Sequence, residues 1–315
     1  MAPARRVGFA FHPSFLAHAT GVSHPERPAR LQAIIEYLRR VRCLDLLVPL
    51  DPPPAAWDQL ALVHNKRYIS EVEVGCREGP TAFDPDTIAS PGSWEAALRA
   101  VGAVTLAVDH VLRGELDAAF CAVRPPGHHA LPDQAMGFCL FNNIAIGVRY
   151  AQQHHKLQRI LIVDWDAHHG NSTQSIFYED PAVCYFSTHH FPFYPGSGAR
   201  DEVGQGAGRG FTLNVPLPAG AGDPEMIRAF EEELVPKAMA FRPELIFISA
   251  GFDGHRDDPL GGLRCTETGY AELTRIVRRI AGACCGGRIV SALEGGYHLD
   301  ALSRSVEAHL RVLLE

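Results

Sequence analysis

Short apolar, β-rich runs recur along the chain at Val7–Phe11, Asp117–Val123, Arg159–Val163, Val183–Ser187, Phe211–Val215, Leu245–Ser249 and Ile289–Leu293. Each has the length of a strand. Between many of them lie stretches with helical periodicity, predicting helices over Pro25–Arg40, Trp94–Leu112, Asn142–His154, Glu225–Ala240, Glu267–Ala281 and Leu299–Leu314. Strands alternating with helices predict an α/β fold, a mostly parallel sheet covered on both faces. The runs ILIV at 160–163 and LIFIS at 245–249 lack polar alternation, so these strands are expected at the centre of the sheet. Pro52–Pro54, Glu78–Ser93 and Thr188–Gly210 read as loops. No repeat, composition shift or long polar linker divides the chain, so one domain over residues 1–315 is expected.

Composition narrows the function classes. Lys plus Arg total 29 against 36 Asp plus Glu, a formal charge of -7, and no stretch interleaves basic with aromatic residues. A direct nucleic-acid partner is therefore not expected. The opening from Met1 to Val7 carries Arg5 and Arg6, and the apolar stretch after it is cut at His12 and Pro13, which fits neither a secretion signal nor a membrane span. Eight cysteines are scattered without a CxxC pair, with Cys284 and Cys285 adjacent. They read as free thiols of a cytoplasmic protein, which disfavours a cysteine zinc knot and turns attention to the sixteen histidines.

In open α/β sheets ligands sit beyond the carboxyl ends of the strands. Arg124-Pro-Pro-Gly-His128-His129 follows the second run, Asp164-Trp-Asp166-Ala-His168-His169-Gly the third, Ala-Gly-Phe-Asp253-Gly-His255 the sixth, and Glu294-Gly-Gly-Tyr297 the seventh. Four strand ends thus deliver carboxylates, imidazoles and a phenol to one rim. Asp164, Asp166 and His168 are spaced by two, so an extended chain there projects all three from one face. With Asp253 from a neighbouring strand, Asp166 and His168 form three protein ligands and leave a position for water, as in catalytic zinc sites. The two oxygen ligands leave Fe(II), Mn(II) or Co(II) open as well. Carboxylates buried together without a cation would be strongly unfavourable. The competing reading is that Asp164 and Asp166 cap the next helix and face solvent. His154-His155 reads as solvated and His189-His190 as the start of a loop, surface or pocket wall. The phenol of Tyr297 is suited to hydrogen-bond a developing oxyanion.

Taken together, HPERPAR (24–30), RPPGHHA (124–130), MGFCLFNN (136–143), VDWDAHHGN (163–171), GFDGHRDDPLG (251–261) and LEGGYH (293–298) resemble the zinc-dependent histone deacetylase family, in particular its class II branch and the prokaryotic deacetylase and acetylpolyamine amidohydrolase relatives. The resemblance implies an arginase-like three-layer fold around a mainly parallel, eight-stranded sheet, and hydrolysis of an amide between an acyl group and an amine. It implies Asp166, His168 and Asp253 as zinc ligands, and His129 as the base that takes the water proton and later protonates the amine. His128, paired with Asp164, matches the electrostatic neighbour of that base, and Tyr297 the phenol on the acyl oxygen. Phe138 and Tyr194 match the aromatic channel walls, with Gly137 and Leu260 beside them. Asp164, Ser187 and Thr188 match a potassium site beside the zinc, and Phe177, Asp180, Val183 and Phe211 a second, main-chain potassium site.

Two departures from the family pattern stand out. Asn171 replaces an aspartate of many class I relatives, keeping an acceptor for His129 without its charge and implying a less basic imidazole. Leu260 replaces a glutamate of polyamine-specialised relatives and cannot attract a second ammonium, which tilts the expected substrate towards acyl-lysine in peptides or proteins. Acylated small amines stay open through Asp84 or Asp86, which otherwise read as a solvated turn. The rivals are an acetylpolyamine amidohydrolase, a dimanganese ureohydrolase and a non-catalytic acyl-binding module. A serine hydrolase is disfavoured because no GxSxG is present, and the glycines at 204–210 precede a strand, so they are a poor phosphate loop. The long loops suit either covering the site or an interface in a homo-oligomer.

Overall fold

The computed structural model describes residues 5–315, so the reading of the opening segment falls outside the described residues at positions 1–4. The elements run β1 (Val7–Ala10), α1 (Ala29–Arg40), β2 (Val48–Leu50), α2 (Trp57–Leu60), α3 (Lys66–Arg77), a hairpin of β3 (Thr81–Ala82) and β4 (Ile88–Ala89), α4 (Ser93–Leu112) and β5 (Ala118–Cys121). They continue through α5 (Asn143–His155), β6 (Ile160–Asp164), α6 (Asn171–Phe177), β7 (Val183–His190), β8 (Thr212–Leu217), α7 (Asp223–Ala229), α8 (Val235–Phe241), β9 (Leu245–Ala250), α9 (Glu267–Cys284), β10 (Ile289–Leu293) and α10 (Leu299–Leu314). Eight strands form one sheet in the order β2-β1-β5-β10-β9-β6-β7-β8, and every neighbouring pair in it is parallel. The expected α/β architecture with an eight-stranded parallel sheet is therefore present.

Side-chain alternation along the strands sends neighbours to opposite helical layers. On β5, Phe120 packs its ring against His309 of α10 at 5.6 Å, whereas the next residue, Cys121, reaches the Ala103 carbonyl of α4 at 3.4 Å. Strands β5, β6, β9 and β10 are buried along their whole length, which is why their runs show no polar alternation.

The pattern missed β2, a three-residue edge strand in which Pro49 is tolerated because one side has no pairing partner. It also missed α3, whose buried Tyr68, Ile69, Val72 and Cys76 are diluted by polar residues. The helix expected over Glu225–Ala240 is broken by a π-turn at Phe230–Leu234, just before Pro236, whose ring supplies no N–H to the helical ladder. The helix expected from Pro25 begins at Ala29, after two prolines. The loop expected from Thr188 begins later, since β7 continues through His190 by pairing with β8. All eight cysteines are unpaired, and no helix among the described residues is long and apolar enough to cross a membrane.

Candidate active site

The four strands whose ends carry the polar motifs are consecutive in the sheet, β5-β10-β9-β6, so their carboxyl-terminal residues meet. Strand β6 ends at Asp164, and the chain then bends; the fully extended 164–168 segment expected from the spacing is not found. Trp165 and Ala167 are instead buried in the core. Asp164 accepts the Asp166 main-chain N–H at 3.2 Å with Oδ1, while its Oδ2 meets His128 Nδ1 at 3.1 Å and accepts the Tyr185 hydroxyl at 3.2 Å. Both aspartates are buried, which sets aside the helix-capping alternative.

Asp166, His168 and Asp253 each offer one donor atom within 4.8 Å of the others. His168 Nδ1 lies 2.8 Å from Asp253 Oδ2 and 3.2 Å from Asp166 Oδ1. The remaining carboxylate oxygens organise the backbone around them: Asp253 Oδ1 accepts from Ala167 N at 2.8 Å and Asp166 Oδ2 from Gly295 N at 2.8 Å. Gly295 has to be glycine, because a Cβ there would lie 2.4 Å from Asp253 Oδ2 and 2.7 Å from Asp166 Oδ2. Burial and the adjacent Asp166 raise the Asp253 carboxyl, while His128 and His168 overcome the opposing effect of burial and hold Asp166 low. Two buried carboxylates on one imidazole nitrogen are a donor set that fits a divalent cation.

His128 and His129 stand side by side, ring centroids 4.0 Å apart, after the turn that follows β5. Burial opposes protonation of His128, but Asp166, Asp164 and Glu294 outweigh it and raise the imidazole to about 10. Burial, then the neighbouring His128 and His168, drive His129 well below the usual histidine range, while its Nδ1 meets Asn171 Oδ1 at 2.7 Å. Tyr297 is raised well above the usual phenol range by burial and by Asp253, so it remains a neutral donor.

A channel leads to these groups, lined by Gly137, Phe138, His128, His129, Tyr194 and Leu260 among others. The Phe138 ring meets Tyr297 at 5.9 Å, and Tyr194 meets His129 at 5.3 Å, both edge-on. Gly137, at φ +57°, brings its backbone so close that a Cβ would lie 2.4 Å from the His129 ring. Asp84 forms a turn, accepting from Asp86 N at 2.9 Å, whereas the exposed Asp86 lies on the channel rim.

Ser187 sits opposite Asp164 in the β6–β7 register, and the buried Thr188 hydroxyl beside it has no partner. Phe177, Asp180 and Val183 form one turn in which Asp180 N bonds the Phe177 carbonyl and Val183 N the Asp180 carbonyl; the Phe211 carbonyl accepts from Tyr185 N at 2.8 Å. The second histidine pair expected to be solvated is split: His154 is exposed, but His155 Nε2 bonds Asp109 at 2.7 Å. His189 belongs to β7, fully buried, with Nε2 against the Gly198 carbonyl at 2.9 Å.

Several contributors carried no expected role. Tyr185 supports Asp164, and Asp258 accepts the main-chain N–H of Tyr297 at 2.6 Å. Thr87 Oγ1 accepts from Phe138 N at 3.0 Å. Arg30 stacks over the Tyr297 ring at 5.0 Å and, with Arg124, encloses the buried Glu26. The HPERPAR motif, legible as a string, is the signal that marked Glu26 and Arg30.

A sheet with its chemistry at four adjacent strand ends, and a carboxylate-imidazole donor set beside a histidine pair and a phenol, defines a hydrolase site. The histone deacetylase domain model matches residues 24–313, and the chain belongs to the histone deacetylase family. It is 42% identical over 309 residues to histone deacetylase 10, chloroplastic, of Oryza sativa subsp. japonica, covering 93% of this chain and 70% of that one. It is 41% identical over 296 residues to a probable deacetylase of Archaeoglobus fulgidus, covering 93% and 82% of the two chains. The crystal structure of the HDA15 HD domain superposes with a TM-score of 0.95 at 38% identity, over 98% of this chain and 88% of that one.

Proposed function

We propose that this deacetylase hydrolyses the acyl amide on a lysine side chain in peptides or proteins, with Zn2+ held by Asp166, His168 Nδ1 and Asp253. The observation that carries the reading is the convergence of this donor set with a neutral His129 and an un-ionised Tyr297 at the end of one aromatic-walled channel. A divalent ion there supplies Lewis-acid polarisation of the acyl carbonyl and a more acidic water. Phe138 and Tyr194 grip the methylene chain of the substrate and exclude water beside it. His129 Nε2 takes the proton of the attacking water, because Nδ1 is engaged by Asn171 and the ring is kept uncharged. His128, held charged by Asp166, Asp164 and Glu294, adds positive potential where negative charge develops. The Tyr297 hydroxyl donates to the acyl oxygen as it becomes an oxyanion. His129 then returns its proton to the departing amine, freeing lysine and the carboxylate.

Potassium is proposed at Asp164, Ser187 and Thr188, supported by the unpartnered Thr188 hydroxyl, and at the main-chain turn of Phe177, Asp180, Val183 and Phe211. An acylated polyamine is the second reading, favoured by the exposed Asp86 carboxylate on the rim, where a distant ammonium could pair. Initial rates on an acetyl-lysine peptide, a longer-acyl-lysine peptide and N-acetylputrescine separate the two. The account expects peptide turnover, falling about 10²–10³-fold in Tyr297→Phe. Turnover of acetylputrescine alone would move the assignment to the polyamine class.

A further inference from the structure

Glu294 is fully buried one residue beyond β10, and it does not line the channel. Its carboxylate turns towards the segment that carries the histidine pair. Oε2 accepts the main-chain N–H of Gly127 at 2.7 Å and of His128 at 3.2 Å. Oε1 accepts the Ser249 hydroxyl at 3.2 Å. Ser249 lies on β9 directly opposite Asp164 of β6, and Asp164 holds the ring of His128 at 3.1 Å. The main-chain carbonyl of Glu294 in turn accepts from Arg30 Nη2, and Arg30 Nε donates to the Gly296 carbonyl of the Tyr297 loop. One side chain therefore ties together the turn after β5, strand β9 and the end of β10. His128 is fixed at its backbone by Glu294 and at its ring by Asp164.

We propose that Glu294 is a positioning residue for hydrolysis: its reach across the sheet sets where His128 and His129 stand relative to the donor set and the phenol. The role rests on the hydrolase reading above. It depends on side-chain length and on acceptor atoms. Glutamine in its place keeps a carbonyl oxygen for the two amides and offers an NH2 to the Ser249 oxygen. Aspartate keeps the charge but falls about 1.5 Å short, one C–C bond length, which takes both amides out of hydrogen-bond range.

The test is the crossed pair Glu294→Gln and Glu294→Asp in the full, metal-loaded protein, with Tm measured for each. The expected result is a Glu294→Gln kcat lowered by no more than about tenfold, since Asp166 and Asp164, the two larger influences, still hold His128 charged, and a Glu294→Asp kcat lower by about 100-fold, the scale of a displacement near 1 Å. KM stays within about threefold in both, because Phe138, Tyr194 and Leu260 of the channel, which hold the substrate chain, make no hydrogen bond with Glu294. Glu294→Asp as active as wild type, Glu294→Gln as impaired as Glu294→Asp, or a loss confined to KM would each overturn the proposal. Amide hydrogen exchange at Gly127 and His128 gives a second readout that needs no turnover: protection retained in Glu294→Gln and lost in Glu294→Asp is expected, and equal protection in both contradicts it. A wild type that exchanges as expected yet hydrolyses no acyl amide would strike the hydrolase reading and leave the bracing role standing as structure alone, which refutes its catalytic part.

Discussion

At His129 the burial of the ring and the imidazoles of His128 and His168 all disfavour a proton, while the uncharged Asn171 amide oxygen and, after it, the charge of Asp166 work the other way. Asn171→Asp places a carboxylate 2.7 Å from Nδ1, and a neighbouring opposite charge raises a pKa by about 1–3 units. A general base must be unprotonated to act, so the acid limb of the kcat/KM profile of Asn171→Asp moves to higher pH by about one unit or more; an acid limb that stays in place contradicts this account of His129. The residues that converge here were legible because each stands just past an apolar run, where a polar side chain has no reason to be unless the strand end opens on a site. Tyr185 was not, since it lies inside a strand and only the three-dimensional rotation of β7 turns its hydroxyl onto Asp164. Glu294 was read as part of a motif without a partner, because its amide donors lie 166 and 167 residues away.

Among elements, the site depends on the order β5-β10-β9-β6, which places strands far apart in sequence side by side. Alternating patterns identify strands and helices but carry no information on which strands neighbour each other, so this order was not legible in the sequence. The short β2 and the π-turn before Pro236 were hidden for local reasons: three residues are too few for a period, and a single proline leaves the apolar stripe on either side unchanged. A buried ionic knot joins the first helix to this frame. Arg124 donates to both carboxylate oxygens of Glu26 and to the carbonyls of Phe15 and His18, all buried, so that, against the burial that would raise it, Arg124 and His18 together hold Glu26 well below the usual carboxylate range. Arg124→Met leaves that carboxylate under-compensated and is expected to cost about 3–5 kcal/mol in denaturant unfolding. A loss under about 1 kcal/mol would mean that Arg30 and His18 suffice.

Across the whole molecule, several histidines are buried neutral, and this gives stability a direction in pH. Burial lowers His64 to about 4, with Nδ1 on the Leu131 carbonyl at 3.0 Å and Nε2 accepting from Asn142 N at 2.9 Å. Between pH 6.5 and about 4 the unfolded chain takes up a proton that the folded chain refuses, so folding stability falls as pH drops through that window and the loss ends near pH 4. For His64 alone the difference amounts to roughly 3 kcal/mol. His64→Gln, which can donate and accept at the same two partners, is expected to lose stability less steeply between pH 6.5 and 4 than wild type; parallel stability curves would contradict it. The same molecule concentrates buried acidic groups at Asp166 and Asp253, and neutralising them by a divalent ion joins stability to activity. The most direct test of the central claim is therefore the release of free acetate from an acetyl-lysine peptide by chelator-treated protein as Zn2+ is added back, with Asp253→Asn and Tyr297→Phe in parallel. The account predicts hydrolysis that rises to a plateau at one ion per chain, is abolished in Asp253→Asn and falls about 10²–10³-fold in Tyr297→Phe with the ion still bound. Full activity without a divalent ion, or undiminished activity in either variant, would contradict it.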